Sequence, residues 1–130
     1  EVRPVSPAGA RHNVVGLNLV LALAHHVRAH RLGHCFTDNV GFRLPIPDAE
    51  GDTVRSPDVA FVSFERLPQL PAGFAPVAPE LAVEILSPDD TARELDERMA
   101  DYFAAGTRLI WVIDPERRTV AVHSDAAPTR

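Results

Sequence analysis

Leu81-Ala82-Val83-Glu84-Ile85-Leu86 is an apolar run interrupted by one acid and closed by Ser87-Pro88. Its length and its ending predict a buried strand rather than a helix. Alternation places Glu84 on one face with Ala82 and Leu86, so that face carries a lone carboxylate. An unpartnered buried carboxylate costs several kcal/mol or more, so Glu84 must pair with a cation, bind a metal or take up a proton.

The rest of the chain arranges itself around this strand. Residues 1–11 contain Pro4, Ser6-Pro7 and Gly9 and read as a loop. From His12 to Arg31 the pattern turns helical, with Val14, Leu17, Leu21, Ala24 and Arg28 on one stripe and Val20 and Val27 beside it. Gly33 is the expected stop. Phe36 to Leu44 reads as a strand closed by Pro45 and Pro47, and Val54 to Phe64 as another, with Pro57 near its start. In the latter, Asp58, Ala60 and Val62 share one face. The proline-rich stretch 65–79 reads as a loop. Thr91 and Glu94 form a capping-box pair that opens a second helix, whose apolar stripe is Ala92, Leu95, Met99, Tyr102 and Phe103 and which Gly106 ends. Leu109 to Ile113 and Thr119 to His123 predict a hairpin about Asp114-Pro115-Glu116-Arg117. The order helix, three strands, helix, two strands predicts an α/β fold, a mixed sheet flanked by helices.

Composition narrows the function. At 130 residues the chain is one domain with room for a core. The net charge of −5 gives no global field for nucleic acid or membrane, so any polyanion contact needs a local basic patch or a metal ion. Arg28, Arg31, Arg43, Arg55, Arg93 and Arg98 are the candidates for such a patch. Cys35 is the one cysteine, which fits a reducing cytoplasm and rules out an internal disulfide. No apolar run is long enough for a membrane span.

Two acids stand in otherwise apolar strands: Asp58 after Pro57, and Glu84. If these strands are neighbours, both carboxylates reach one site, where they suit a hard divalent cation with open water positions. The competing reading caps a turn with Asp58 and pairs Glu84 with an arginine. Arg98, at the edge of the second helix's stripe, either reaches over the sheet or pairs on the surface with Glu94 or Asp101. His26, His30 and His34 are spaced by four, but Gly33 breaks the helix before His34 and nothing completes a zinc set. Cys35 reads as packed. There is no Gly-rich phosphate loop and no nucleophile elbow.

Taken in order, Pro57-Asp58, Glu84-Ile85-Leu86-Ser87-Pro88, the helix with Arg98, Tyr102 and Ala105-Gly106, and Leu109-Ile110-Trp111-Val112-Ile113-Asp114-Pro115 resemble the Uma-two endonucleases, a branch of the restriction-endonuclease-like PD-(D/E)xK superfamily. His12 near the start of the first helix and Gly41-Phe42-Arg43-Leu44-Pro45 also fit. The resemblance spans nearly the whole chain. It implies a restriction-endonuclease-like mixed sheet and a Mg²⁺- or Mn²⁺-dependent hydrolase of DNA phosphodiesters. Asp58, Glu84 and the carbonyl of Ile85 would hold the metal, and a homodimer would cut both strands. It also implies that family members run longer, with segments before Glu1 and after Arg130. Two departures stand out. Leu86 occupies the motif's lysine position, as is usual in this branch, and Arg98 stands where the following helix supplies the lysine. Arginine keeps the charge and grips phosphate but is a poor proton acceptor. The alternative is therefore a catalytically inactive nuclease fold that binds nucleic acid or protein.

Overall fold

The computed structural model describes residues 9–125. The proposed loop over residues 1–11 lies mostly outside them. Within the described part the elements are α1 (Ala10–Ala29), β1 (Gly33–Thr37), β2 (Phe42–Leu44), β3 (Thr53–Arg55), β4 (Val59–Ser63), β5 (Leu81–Ile85), α2 (Ala92–Ala105), β6 (Leu109–Asp114) and β7 (Thr119–Ser124). Five strands form one mixed sheet in the order β1-β4-β5-β6-β7; β5 and β6 are parallel and the other pairs antiparallel. The expected architecture, a mixed sheet flanked by helices, is the one observed.

Two expected strands are each split in two. Phe36 to Leu44 breaks at a turn where Asn39 adopts a left-handed φ of 73°, and Pro57 interrupts the next one before β4. The pieces β2 and β3 pair with each other as a separate two-stranded sheet. A proline lacks the amide that a continuous ladder needs, which accounts for the second break.

Two cores lie on opposite faces of the large sheet. Ala60, Val62, Ala82, Ile110 and Val112 pack with Tyr102, Leu95, Met99 and Phe103 of α2 and with Phe42 and Leu44 of the small sheet. Val59, Leu81, Val83 and Ile85 pack with Val15, Leu19, Val20 and Leu23 of α1. The stripe expected on α1 is thus corrected. Val14, Leu17 and Leu21 are 52%, 52% and 61% exposed, and the helix seats its other side, with Val15, Leu19 and Leu23, instead. Apolar residues stand on both sides of this helix, so periodicity does not single out its buried side.

The crossover from β5 through α2 to β6 sets the helix against the sheet. Its helix starts at the predicted capping box, with Thr91 accepting from the Glu94 amide at 3.1 Å and Glu94 accepting from the Thr91 amide at 3.2 Å. It stops at Gly106, whose φ of 111° is the left-handed cap a glycine supplies without strain.

Candidate active site

Because β4 runs antiparallel to β5, with Val59 opposite Val83, the start of β4 lies beside the carboxyl end of β5. One step further along that register is Asp58 beside Glu84. The Asp58 amide donates to the Val83 carbonyl at 3.0 Å, and the Ile85 amide donates to Asp58 Oδ2 at 2.7 Å. Asp58 is therefore pinned to β5 on both sides of Glu84. The carboxyl ends of strands in such sheets are the usual place for a ligand crevice, since loops diverge there.

Glu84 is buried, 6% exposed, and faces α2. Arg98 Nε donates to Glu84 Oε1 at 3.0 Å, and the Tyr102 hydroxyl donates to Oε2 at 3.1 Å. Arg98 and Tyr102 are four residues apart, on one face of α2, so a single helix supplies both donors. Arg98 also reaches Asp90 Oδ1 at 3.7 Å. The surface pairing of Arg98 with Glu94 or Asp101 is not what forms. Glu94 serves the helix cap, and Asp101 takes two bonds from Arg55, at 3.0 and 2.7 Å.

Burial pushes the Glu84 carboxyl up to about 7; Arg98 opposes that shift, and the negative charge of Asp58 adds to it. Burial also raises Asp58. The Ile85 amide and His12 pull it back, and Asp38 and Asp90 push it further up. The Tyr102 hydroxyl is raised strongly by burial and by Glu84 beside it, so it remains a donor. Four carboxylates thus act on one another at this end of the sheet while Arg98 is the arginine among them. Of the four, Glu84 is buried, Asp58 and Asp90 are half-buried and Asp38 is exposed, so acid outweighs base at this end.

The candidate residues suit a hard divalent ion. Asp58, Glu84 and the Ile85 carbonyl offer oxygen donors, the class that Mg²⁺ and Mn²⁺ take. Each carboxylate oxygen of Glu84 keeps a lone pair beyond the hydrogen bond it accepts. Among the described residues no three His, Cys, Asp or Glu side chains already stand together as a ligand set. Asp58 and Glu84 feel one another's charge but hold different partners: Asp58 turns towards α1, Glu84 towards α2.

Three participants escape a reading of the sequence as chemistry. Tyr102 reads as one more member of an apolar stripe; the available signal is that a buried tyrosine usually needs a partner for its hydroxyl. Asp90 reads as a helix-dipole residue. His12 sits on α1 with Nε2 3.5 Å from Asp58 Oδ1. The other histidines make no zinc site: the His30 ring bonds the His26 carbonyl at 3.0 Å, and His34, on β1, bonds the Leu67 carbonyl at 3.0 Å. Cys35 is half-buried on β1, and burial raises its thiol pKa, which fits packing rather than reactivity.

A family model described as "Uma2: Putative restriction endonuclease" matches residues 1–129. A crystal structure described as a putative nuclease belonging to DUF820, from Anabaena variabilis ATCC 29413, superposes with a TM-score of 0.78 at 24% identity, covering 99% of this chain and 70% of that one. At that identity the likeness establishes the fold. No curated protein matches.

Proposed function

The chain belongs to the Uma2 family, and from that membership and the site just described we propose a divalent-metal-dependent endonuclease that hydrolyses DNA phosphodiester bonds. The observation that carries this reading is that Asp58 and Glu84 stand at the same end of the paired strands β4 and β5 and feel one another's charge, with Arg98 hydrogen-bonded to Glu84. Asp58, Glu84 and the Ile85 carbonyl would hold Mg²⁺ or Mn²⁺. When bound, such an ion polarises a scissile phosphate and lowers the pKa of an attacking water.

The side chains have separable tasks. Arg98 orients Glu84 through Oε1 and offers its remaining N–H groups to a phosphate, a bidentate acceptor that suits a guanidinium. Tyr102 fixes Oε2 and so limits Glu84 to one rotamer. The Ile85 amide fixes Asp58 Oδ2. Arg98 does not take the water's proton, because arginine stays charged at any working pH. One site per chain cuts one strand, so cutting both calls for a homodimer. A cytoplasmic location belongs to the same reading, supported by the single cysteine; among the described residues no helix is long and apolar enough to cross a membrane.

A second reading rests on a specific contact. Both oxygens of Glu84 already hold protein partners, the arrangement expected of a catalytically silent nuclease fold that binds nucleic acid or protein. Supercoiled plasmid incubated with Mg²⁺ or Mn²⁺ separates the two. Cleavage that Glu84→Ala abolishes supports the nuclease; intact plasmid with every divalent ion supports the binding module.

A further inference from the structure

His12 lies in the first turn of α1, far from Asp58 in sequence, yet the fold brings the two side chains face to face. Three features hold them there. Gly16, one turn along α1, has no side chain, and a Cβ at that position would already touch Ile85 Cδ1 at 3.4 Å, so the helix lies close over β5. Asp58 Oδ2 is committed to the Ile85 amide at 2.7 Å, which leaves Oδ1 as the oxygen turned towards His12. Both side chains line an open cavity of about 250 Å³ together with Asn13, Thr37 and Asp38.

The separation of Nε2 from Oδ1 is 3.5 Å. That exceeds the 2.7–3.2 Å range of a good N–H···O bond. It falls where two donors stand when they share one cation, since bonds of about 2.1 Å place neighbouring ligands roughly 3.0–3.5 Å apart. We propose that His12 is a protein ligand of the divalent ion, giving the site one imidazole nitrogen beside the Asp58 carboxylate and biasing it towards Mn²⁺ over Mg²⁺. Imidazole is a ligand for borderline first-row ions, whereas Mg²⁺ holds to oxygen and water. The inference rests on the reading of Asp58 as a metal ligand and adds the ion's identity to it.

Isothermal titration of the whole chain with MnCl₂ and with MgCl₂, for the wild type, His12→Asn and Asp58→Asn, tests this together with the electron spin echo of the Mn²⁺-loaded protein. The expected result is tighter binding of Mn²⁺ than of Mg²⁺, and a ¹⁴N modulation from a bonded imidazole. His12→Asn should lose that modulation and weaken Mn²⁺ roughly 10- to 100-fold, with little change for Mg²⁺. A ¹⁴N signal that is absent from the wild type or retained in His12→Asn overturns the assignment. So does binding that Asp58→Asn abolishes and His12→Asn leaves alone, an outcome that keeps the metal-dependent reading. A wild type that binds neither ion overturns both.

Discussion

At Glu84 the cost of removing a carboxylate from water competes with the attraction of Arg98, and the outcome is a group that titrates at about 7 rather than at its ordinary 4.5. The folded protein therefore holds a proton that the unfolded chain has released between those two values. Stability from this group is fully present below about 4.5 and is lost as pH rises through about 7. The difference amounts to about 3 kcal/mol. Urea unfolding in EDTA should show stability falling across this window, and Glu84→Gln, which cannot titrate, should remove most of the slope. A wild type whose slope matches that of the variant would contradict the burial argument. Tyr102→Phe tests the neighbouring contact: Glu84 Oε2 loses its donor, and stability should drop by about 1–2 kcal/mol at pH 8, less at pH 5. Arg98→Lys addresses the chemistry itself. If Arg98 occupies a lysine's place, a group able to exchange a proton returns to the site and plasmid cleavage should rise by roughly tenfold or more; an unchanged or lower rate rejects that placement.

The helix that carries Arg98 and Tyr102 is positioned by its ends, and this was plain in the sequence. The Thr91–Glu94 box and Gly106 are local signals, each resting on hydrogen bonds or a φ angle within a few residues. Thr91→Ala should cost about 1 kcal/mol in thermal or urea unfolding. The pairing of β4 with β5 was equally legible, because consecutive strands tend to be neighbours and their alternation sorts Ala60 and Val62 from Val59 and Phe61. Where the sequence misled, the deciding forces were not local. Which side of α1 is buried depends on the sheet it meets, because apolar residues stand on both of its sides. The break after β1 depends on β2 leaving to pair with β3 in a second small sheet, whereas Pro57 makes the other break locally. The site shows the same division. Asp58 and Glu84 announce themselves as acids inside apolar strands, and Arg98 as a basic residue beside a stripe. The link from Arg98 to Glu84, the tyrosine donor and the approach of His12 join residues 14, 18 and 46 positions apart, and only the tertiary fold reveals them.

For the molecule as a whole the difficulty is charge. On the proposed function, a chain of net charge −5 must bring a phosphodiester to an end of its sheet where Glu84 and Asp90 hold Arg98 and Asp38 and Asp58 add further negative charge. Phosphate is repelled from such a place unless a cation intervenes, because nucleic-acid affinity comes chiefly from cations that neutralise backbone charge. Divalent ions should therefore strengthen DNA binding as well as permit cleavage. Removing one carboxylate should have opposite effects on the two. At a distance of about 6 Å a unit charge in water contributes about 0.7 kcal/mol, or roughly threefold in affinity. Asp58→Asn should bind a short duplex roughly threefold more tightly than the wild type in EDTA, measured by fluorescence anisotropy at low salt, and should lose both the gain on adding Mn²⁺ and all cleavage. Screening must shrink the EDTA difference as salt rises, since the Debye length falls to about 10 Å at 0.1 M. If instead Asp58→Asn bound DNA like the wild type in EDTA and still responded to Mn²⁺, this end of the sheet would not be where the phosphate sits.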